Sequence, residues 1–194
     1  FYGEIGFRQL LSPHTDVGIG ISGGGFGDNY YEVRQGSYLK SESFHGNGGG
    51  ASLNIYHLIN PTQRIPLSLL VQGGSHYSTY SATHNTDGQF KVPDDLVNTF
   101  MRTGLRFAGK EPMLYSDLAM EVSLWYEHQW RPEGNTYGYN GDRQVAGNTD
   151  LYWLYAGMNY AWTNTGNQFT LAMTAGGSEK ADRFSAWRAA ALSA

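Results

Sequence analysis

The sequence predicts an all-β fold, an antiparallel up-and-down transmembrane β-barrel of about eight strands, and three observations predict it. Apolar residues alternate with polar ones at period two in eight stretches. Those stretches pair off around four short turn clusters. The connections between the resulting hairpins are long and polar, so short turns gather on one side and long loops on the other.

The first hairpin sets Phe1, Gly3, Ile5 and Phe7 against Val17, Ile19 and Ile21 around Leu11-Ser12-Pro13-His14-Thr15. The second sets Leu53 and Ile55 against Ile65, Leu67, Leu69 and Val71 around Asn60-Pro61-Thr62-Gln63. The third sets Met101, Thr103, Leu105 and Phe107 against Leu118, Met120, Val122, Leu124 and Tyr126 around Gly109-Lys110-Glu111-Pro112. The fourth lies in a stretch from Leu151 to Ser178 that carries no charge and is long enough for a membrane helix. The turn cluster Thr163-Asn164-Thr165-Gly166-Asn167 in its middle excludes that helix. Its flanks alternate instead, with Tyr152, Leu154, Ala156, Met158, Tyr160 and Trp162 in one arm and Phe169, Leu171, Met173 and Ala175 in the other. Each arm is about ten residues, the length a tilted strand needs to cross hydrocarbon. The long connection near 25–50 is expected to continue as strands through Tyr30 to Arg34 and Tyr38 to Ser43 around Gln35-Gly36, and Phe184 to Leu192 could begin a ninth strand.

Alternation alone does not say which face is inside. The polar face reads Glu4, Gly6, Arg8; Gly18, Gly20, Ser22; Ser52, Asn54; Ser68, Gln72; Arg102, Gly104, Arg106; Asp117, Ala119, Glu121, Ser123, Glu127; Gln168, Thr170, Thr174. A hydrated sheet surface is usually covered by long Lys and Glu side chains. This face is small and hydroxylic with charges of both signs, as a lumen is. Aromatic residues gather near strand ends, where a membrane interface would hold them: Tyr77, Tyr80, Tyr115, Trp125, Tyr126, Trp130, Tyr152, Trp153, Tyr160 and Trp162.

Composition narrows the classes. The chain is 15% charged and 14% aromatic with Gly 26, against roughly 25% charged in ordinary globular proteins, which excludes a disordered chain and argues against a helical bundle. With no cysteine there is no disulfide framework, thiolate metal site or cysteine nucleophile. A net charge of −4 without a basic patch excludes a nucleic-acid partner. The chain opens at Phe1 without a signal region, so an export signal has been removed or the chain is a fragment. Residues 1–194 read as one domain, either a complete small barrel or part of a larger one.

By this pattern, and over nearly its whole length, the chain resembles the bacterial outer-membrane β-barrel class. The resemblance implies residence in the bacterial outer membrane, outer-membrane lipid as a partner, and a role as a passive pore for small solutes or as a structural barrel, with other subunits of an envelope assembly as further partners. The chain departs from the class in ending Ala189-Ala190-Ala191-Leu192-Ser193-Ala194 rather than on an aromatic residue.

Arg102 and Arg106 share the polar face of one strand, and Asp117 and Glu121 that of its hairpin partner, within diagonal reach. Glu4, Arg8 and Glu127 belong to the same inward set. These residues form either a salt-bridge network that fills the barrel or a charged constriction that selects solutes. His76-Tyr77-Ser78 is similar to the His-x-Ser element of the outer-membrane lipid A 3-O-deacylases, which would imply a base and a nucleophile two residues apart on one strand face. The following Thr79-Tyr80-Ser81 lacks that family's Asn-Gly continuation, no acidic residue is obviously placed to orient His76, and alternation puts both residues on the polar face. His14, His45, His57, His84 and His128 repeat no metal-ligand spacing, and the glycine runs 23–27 and 46–50 lack the Lys-Ser/Thr of a phosphate loop, so no metal or cofactor is expected. A soluble secreted carbohydrate-binding β protein, stacking sugars on Trp130, Tyr137 and Tyr139, is the alternative of a different class.

Overall fold

The computed structural model describes residues 2–63, 65–109, 118–162, 165–182 and 184–185. They form eleven strands: β1 (Tyr2–Ser12), β2 (Thr15–Arg34), β3 (Ser37–Leu58), β4 (Leu67–Ala82), β5 (Phe90–Lys91), β6 (Leu96–Gly109), β7 (Leu118–Trp130), β8 (Thr136–Tyr139), β9 (Arg143–Gln144), β10 (Asn148–Trp162) and β11 (Asn167–Glu179). Eight of them make one antiparallel sheet in the order β1-β2-β3-β4-β6-β7-β10-β11, a meander in which each strand pairs with the next of the eight along the chain. The small strands β5, β8 and β9 form a second sheet within the loops. Among the described residues β1 and β11 each pair on one side only.

The connection expected to continue as strand does so. β2 and β3 run on to a two-residue turn at Gln35 and Gly36, whose φ values of 48° and 78° are those of a tight hairpin turn matched to strand twist.

The register sorts side chains onto two faces as the alternation predicts. The pairs Phe7↔Ile19, Ile19↔Leu53, Leu69↔Leu105, Leu105↔Leu124, Leu124↔Leu154 and Met158↔Leu171 all fall on one face. That face is bare: Ile5 is 81% exposed, Leu124 54% and Leu171 57%.

The rows of paired residues climb across the sheet. One row starts at Thr15, the first residue of β2, and passes through His57, Leu69, Leu105, Leu124 and Leu154 to Ala175, eight residues above the first residue of β11. Eight residues of stagger over six interstrand steps, at about 3.3 Å per residue and about 4.8 Å per strand, incline the strands by roughly 40° from the normal to the line of short turns.

The apolar core is at the loop end. Phe44 of β3, Phe90 of β5, Leu96 of β6, Tyr137 of β8 and Val145 are buried together, with Tyr80, Val92, Tyr139 and Phe184 packed around them. Phe184 and Ser185 turn in toward this cluster instead of extending the sheet; the remainder of the proposed ninth strand lies outside the described residues.

Candidate functional site: the polar face of the sheet

Alternation brings the predicted charges of β6 and β7 together on the polar face. Arg102 and Glu127 are direct cross-strand partners, and Arg102 Nε donates to Glu127 Oε2 at 2.7 Å. Its guanidinium also lies 5.3 Å from the Trp153 ring. Arg106 reaches Glu121 diagonally, Nη2 to Oε2 at 3.2 Å, while among the described residues its buried Nε has no acceptor. The Arg102 pair is therefore the better satisfied of the two. Asp117 lies outside the described residues.

Arg8 and Glu4 stand on the same face but on β1, and the sheet order keeps them from the group on β6 and β7. Arg8 pairs with Asp16 of β2 and lies over the Tyr56 ring. Glu4 sits across from Ser22 beside Gly20.

The ion pairs continue into a chain of contacts that the sequence did not reveal. Glu127 accepts from Gln129 Nε2 at 2.6 Å, and Gln129 in turn accepts from Arg131. Arg131 Nη1 donates to Asp182 at 2.7 Å and its Nη2 to Ser185 at 2.7 Å. Glu127, Gln129, Thr149 and Ser185 are completely buried, so every link replaces water. Burial pushes the Asp182 carboxyl up, but the Arg131 charge and the backbone N–H groups of Ala146 and Ser185 outweigh it and leave the group below its ordinary value.

A second charged knot ties the outer loops. Arg143 pairs with Glu42 and Glu32 and stacks over Phe90 at 5.5 Å and Tyr137 at 5.9 Å. Burial works against its charge, yet the hydrogen bond to Glu42 and the nearby carboxylates hold it above the ordinary arginine range.

Three aromatic assignments need correction. Trp125 and Trp153 stack on each other on the polar face, ring centroids 5.8 Å apart, because they are odd-numbered neighbours of the apolar-face Leu124 and Leu154. Tyr80 turns into the loop-end cluster, 5.7 Å from Phe44. Proximity to a strand end gave these residues to an interface, but parity along the strand decides the face. Tyr115 lies outside the described residues.

No family model, curated protein or solved structure matches this chain.

His76 and Ser78 lie on the polar face, opposite Gly50 and Gly48. The imidazole is laid across those glycines: a Cβ added to Gly48 would come 2.8 Å from Nε2, and one added to Gly50 2.9 Å from Nδ1. The intervening Tyr77 points the opposite way and donates to Asp95 at 2.6 Å. On the apolar face a carboxylate orients His128, whose Nδ1 meets Asp150 at 2.6 Å, with Tyr126 donating to the same carboxylate oxygen. Among the described residues no serine or threonine hydroxyl is bonded to it. Among the described residues no group of three or more acidic or histidine side chains could hold a metal ion.

The sugar-stacking set is also divided. Tyr137 is buried in the loop-end cluster and Tyr139 packs edge-on against Phe90 at 5.5 Å, while Trp130 stands on the apolar face.

Proposed function

We propose that this chain is a transmembrane β-barrel of the bacterial outer membrane, closing with its own eight strands or together with further ones, and that it acts as a passive pore that rests closed at its loop end. The observation that carries the reading is the continuous exposed apolar face with its aromatic borders. Soluble monomers rarely leave an apolar patch of more than a few hundred Å² bare, and here such a face crosses all eight strands of the sheet.

Its height fits hydrocarbon. At about 40° of tilt each residue rises roughly 2.5 Å, so ten residues above the short turns is about 25 Å, the height of the apolar band of such barrels. Tyr77, His128 and Tyr152 stand ten residues from Leu67, Leu118 and Trp162, and Tyr126 and Trp130 flank them on the same face. Tyr160, Trp162 and Phe169 border the other edge, again on this face. The strand tilt is within the range of membrane barrels.

The opposite face fits a lumen rather than a hydrated surface, because Arg8, Arg102 and Arg106 each pair with a carboxylate on it and its loop end is filled by the Phe44 cluster. An esterase at His76 and Ser78 is the weaker reading, since both side chains share the polar face and lie away from the lipid that such an enzyme would meet.

The test is to express the natural gene, fractionate envelopes, extract in mild detergent and run the product unheated and boiled on a denaturing gel. Outer-membrane residence with heat-modifiable migration supports the barrel, and rare, low conductance in planar bilayers supports the closed pore. A protein soluble without detergent overturns the reading and makes the exposed face an interface with protein.

A further inference from the structure

The segment after β11 packs against the loop-end cluster. Beyond β11 the backbone takes a left-handed turn at Lys180, φ 52°, and returns over the polar face. Asp182 Oδ2 accepts from Arg131 and from the Ala146 N–H at 2.8 Å, and Oδ1 accepts from the N–H groups of Phe184 and Ser185 at 3.0 and 2.9 Å. The Ser185 hydroxyl lies 3.2 Å from Thr149. These bonds present one aromatic ring to three others: Phe184 lies 5.5 Å from Tyr80, 5.7 Å from Tyr137 and 6.3 Å from Phe44, each pair edge-on or tilted.

Edge-to-face and tilted arrangements are those that aromatic rings prefer. A site walled by three such rings suits a planar aromatic ring of any origin. The ring in it now belongs to the protein, and among the described residues its neighbours Asp182 and Ser185 tie it down.

We propose that Tyr80, Tyr137 and Phe44 form a binding site for aromatic solutes at the mouth of the lumen, and that Phe184 is its resident occupant, on a strap that a solute opens by taking the ring's place. This rests on the barrel reading and names the solute class and the gate of that pore. Asp182 clasps the strap to Arg131. Val145 is buried in the cluster against which Phe184 packs, and displacing Phe184 is expected to open it to solvent.

The test uses the full chain with Val145→Cys, its only thiol, in lipid vesicles, with labelling by a membrane-impermeant maleimide added from the loop side. Heat-modifiable migration of each variant shows that it is folded. Asp182→Asn and Phe184→Ala are expected to label at least tenfold faster than the parent, and Phe184→Leu close to it. p-Cresol, the aromatic probe, is expected to speed labelling of the parent saturably and to slow labelling of Phe184→Ala, where it fills the vacated site. Equal labelling of parent and Asp182→Asn overturns the clasp, and absence of both p-cresol effects overturns the aromatic site. If the protein stays out of the vesicles the barrel reading fails, and the same comparison in aqueous solution still decides the strap.

Discussion

Arg102 donates to the fully buried Glu127 from directly across the β6–β7 ladder, and that carboxylate is the first link of a polar chain that ends at Asp182 and Ser185. A buried carboxylate depends on its partner, since removing one member of such a pair leaves an uncompensated charge. Arg102→Ala is expected to cost about 3 to 5 kcal/mol. Arg106→Ala should cost less, because its pair is longer and its Nε is already without an acceptor among the described residues. Replacing Arg102 and Glu127 together by Met and Leu is expected to recover most of the loss. The temperature at which the folded band converts to the unfolded one on a gel measures all three.

Gly104 lies under the Trp125 indole, where an added Cβ would come 2.6 Å from its Cδ2. Trp125 in turn stacks on Trp153, nearly parallel at 8°. Gly104→Ala therefore has to push the stacked pair apart, an overpacking expected to cost about 1 to 3 kcal/mol. Near-ultraviolet circular dichroism should lose the signal of coupled indoles, while Gly88→Ala, where an added Cβ meets nothing within 4 Å, should keep it.

Charge placed on the two faces distinguishes lipid from water. Val122→Arg, on the apolar face, is expected to cost roughly 2 to 4 kcal/mol near the midplane of a bilayer. Thr170→Arg, on the exposed polar face of β11, should be tolerated. Ser123 would be a poor control although it shares the polar face, because it is 1% exposed between Arg106 and Tyr155 and has no room for arginine. Equal tolerance at Val122 and Thr170 in reconstituted protein would count against a lipid-facing surface.

Asp182 carries a pH dependence whose sign follows from its depressed pKa. The folded carboxyl holds its proton less tightly than the unfolded one, so its stabilisation is fully present above the unfolded value of about 4 and is lost as pH falls through the folded value. The clasp should thus hold at neutral pH and release in acid. The labelling rate of Val145→Cys divided by that of the same protein carrying Asp182→Asn should rise toward one below about pH 4, the common loss of thiolate cancelling in the ratio. A ratio unchanged across this range would show that Asp182 contributes no such linkage.

Period-two alternation determined by itself that the chain is all-β, where the hairpins turn, and which residues share a face, because side-chain parity is a property of consecutive residues and needs no knowledge of the partner strand. Ile55, Leu105, Val122 and Leu171 were legible on one face for that reason, as were Arg102, Arg106, Glu121 and Glu127 on the other. Only the tertiary structure decided which of those charges meet. Arg102 finds Glu127 and Arg106 finds Glu121 because register pairs β6 with β7, whereas Arg8 finds Asp16 at the other end of the sheet. Nor could spacing foretell Arg131 with Asp182 or Arg143 with Glu42. These residues lie 51 and 101 positions apart and meet because a tilted sheet and its folded loops bring distant backbone to one place.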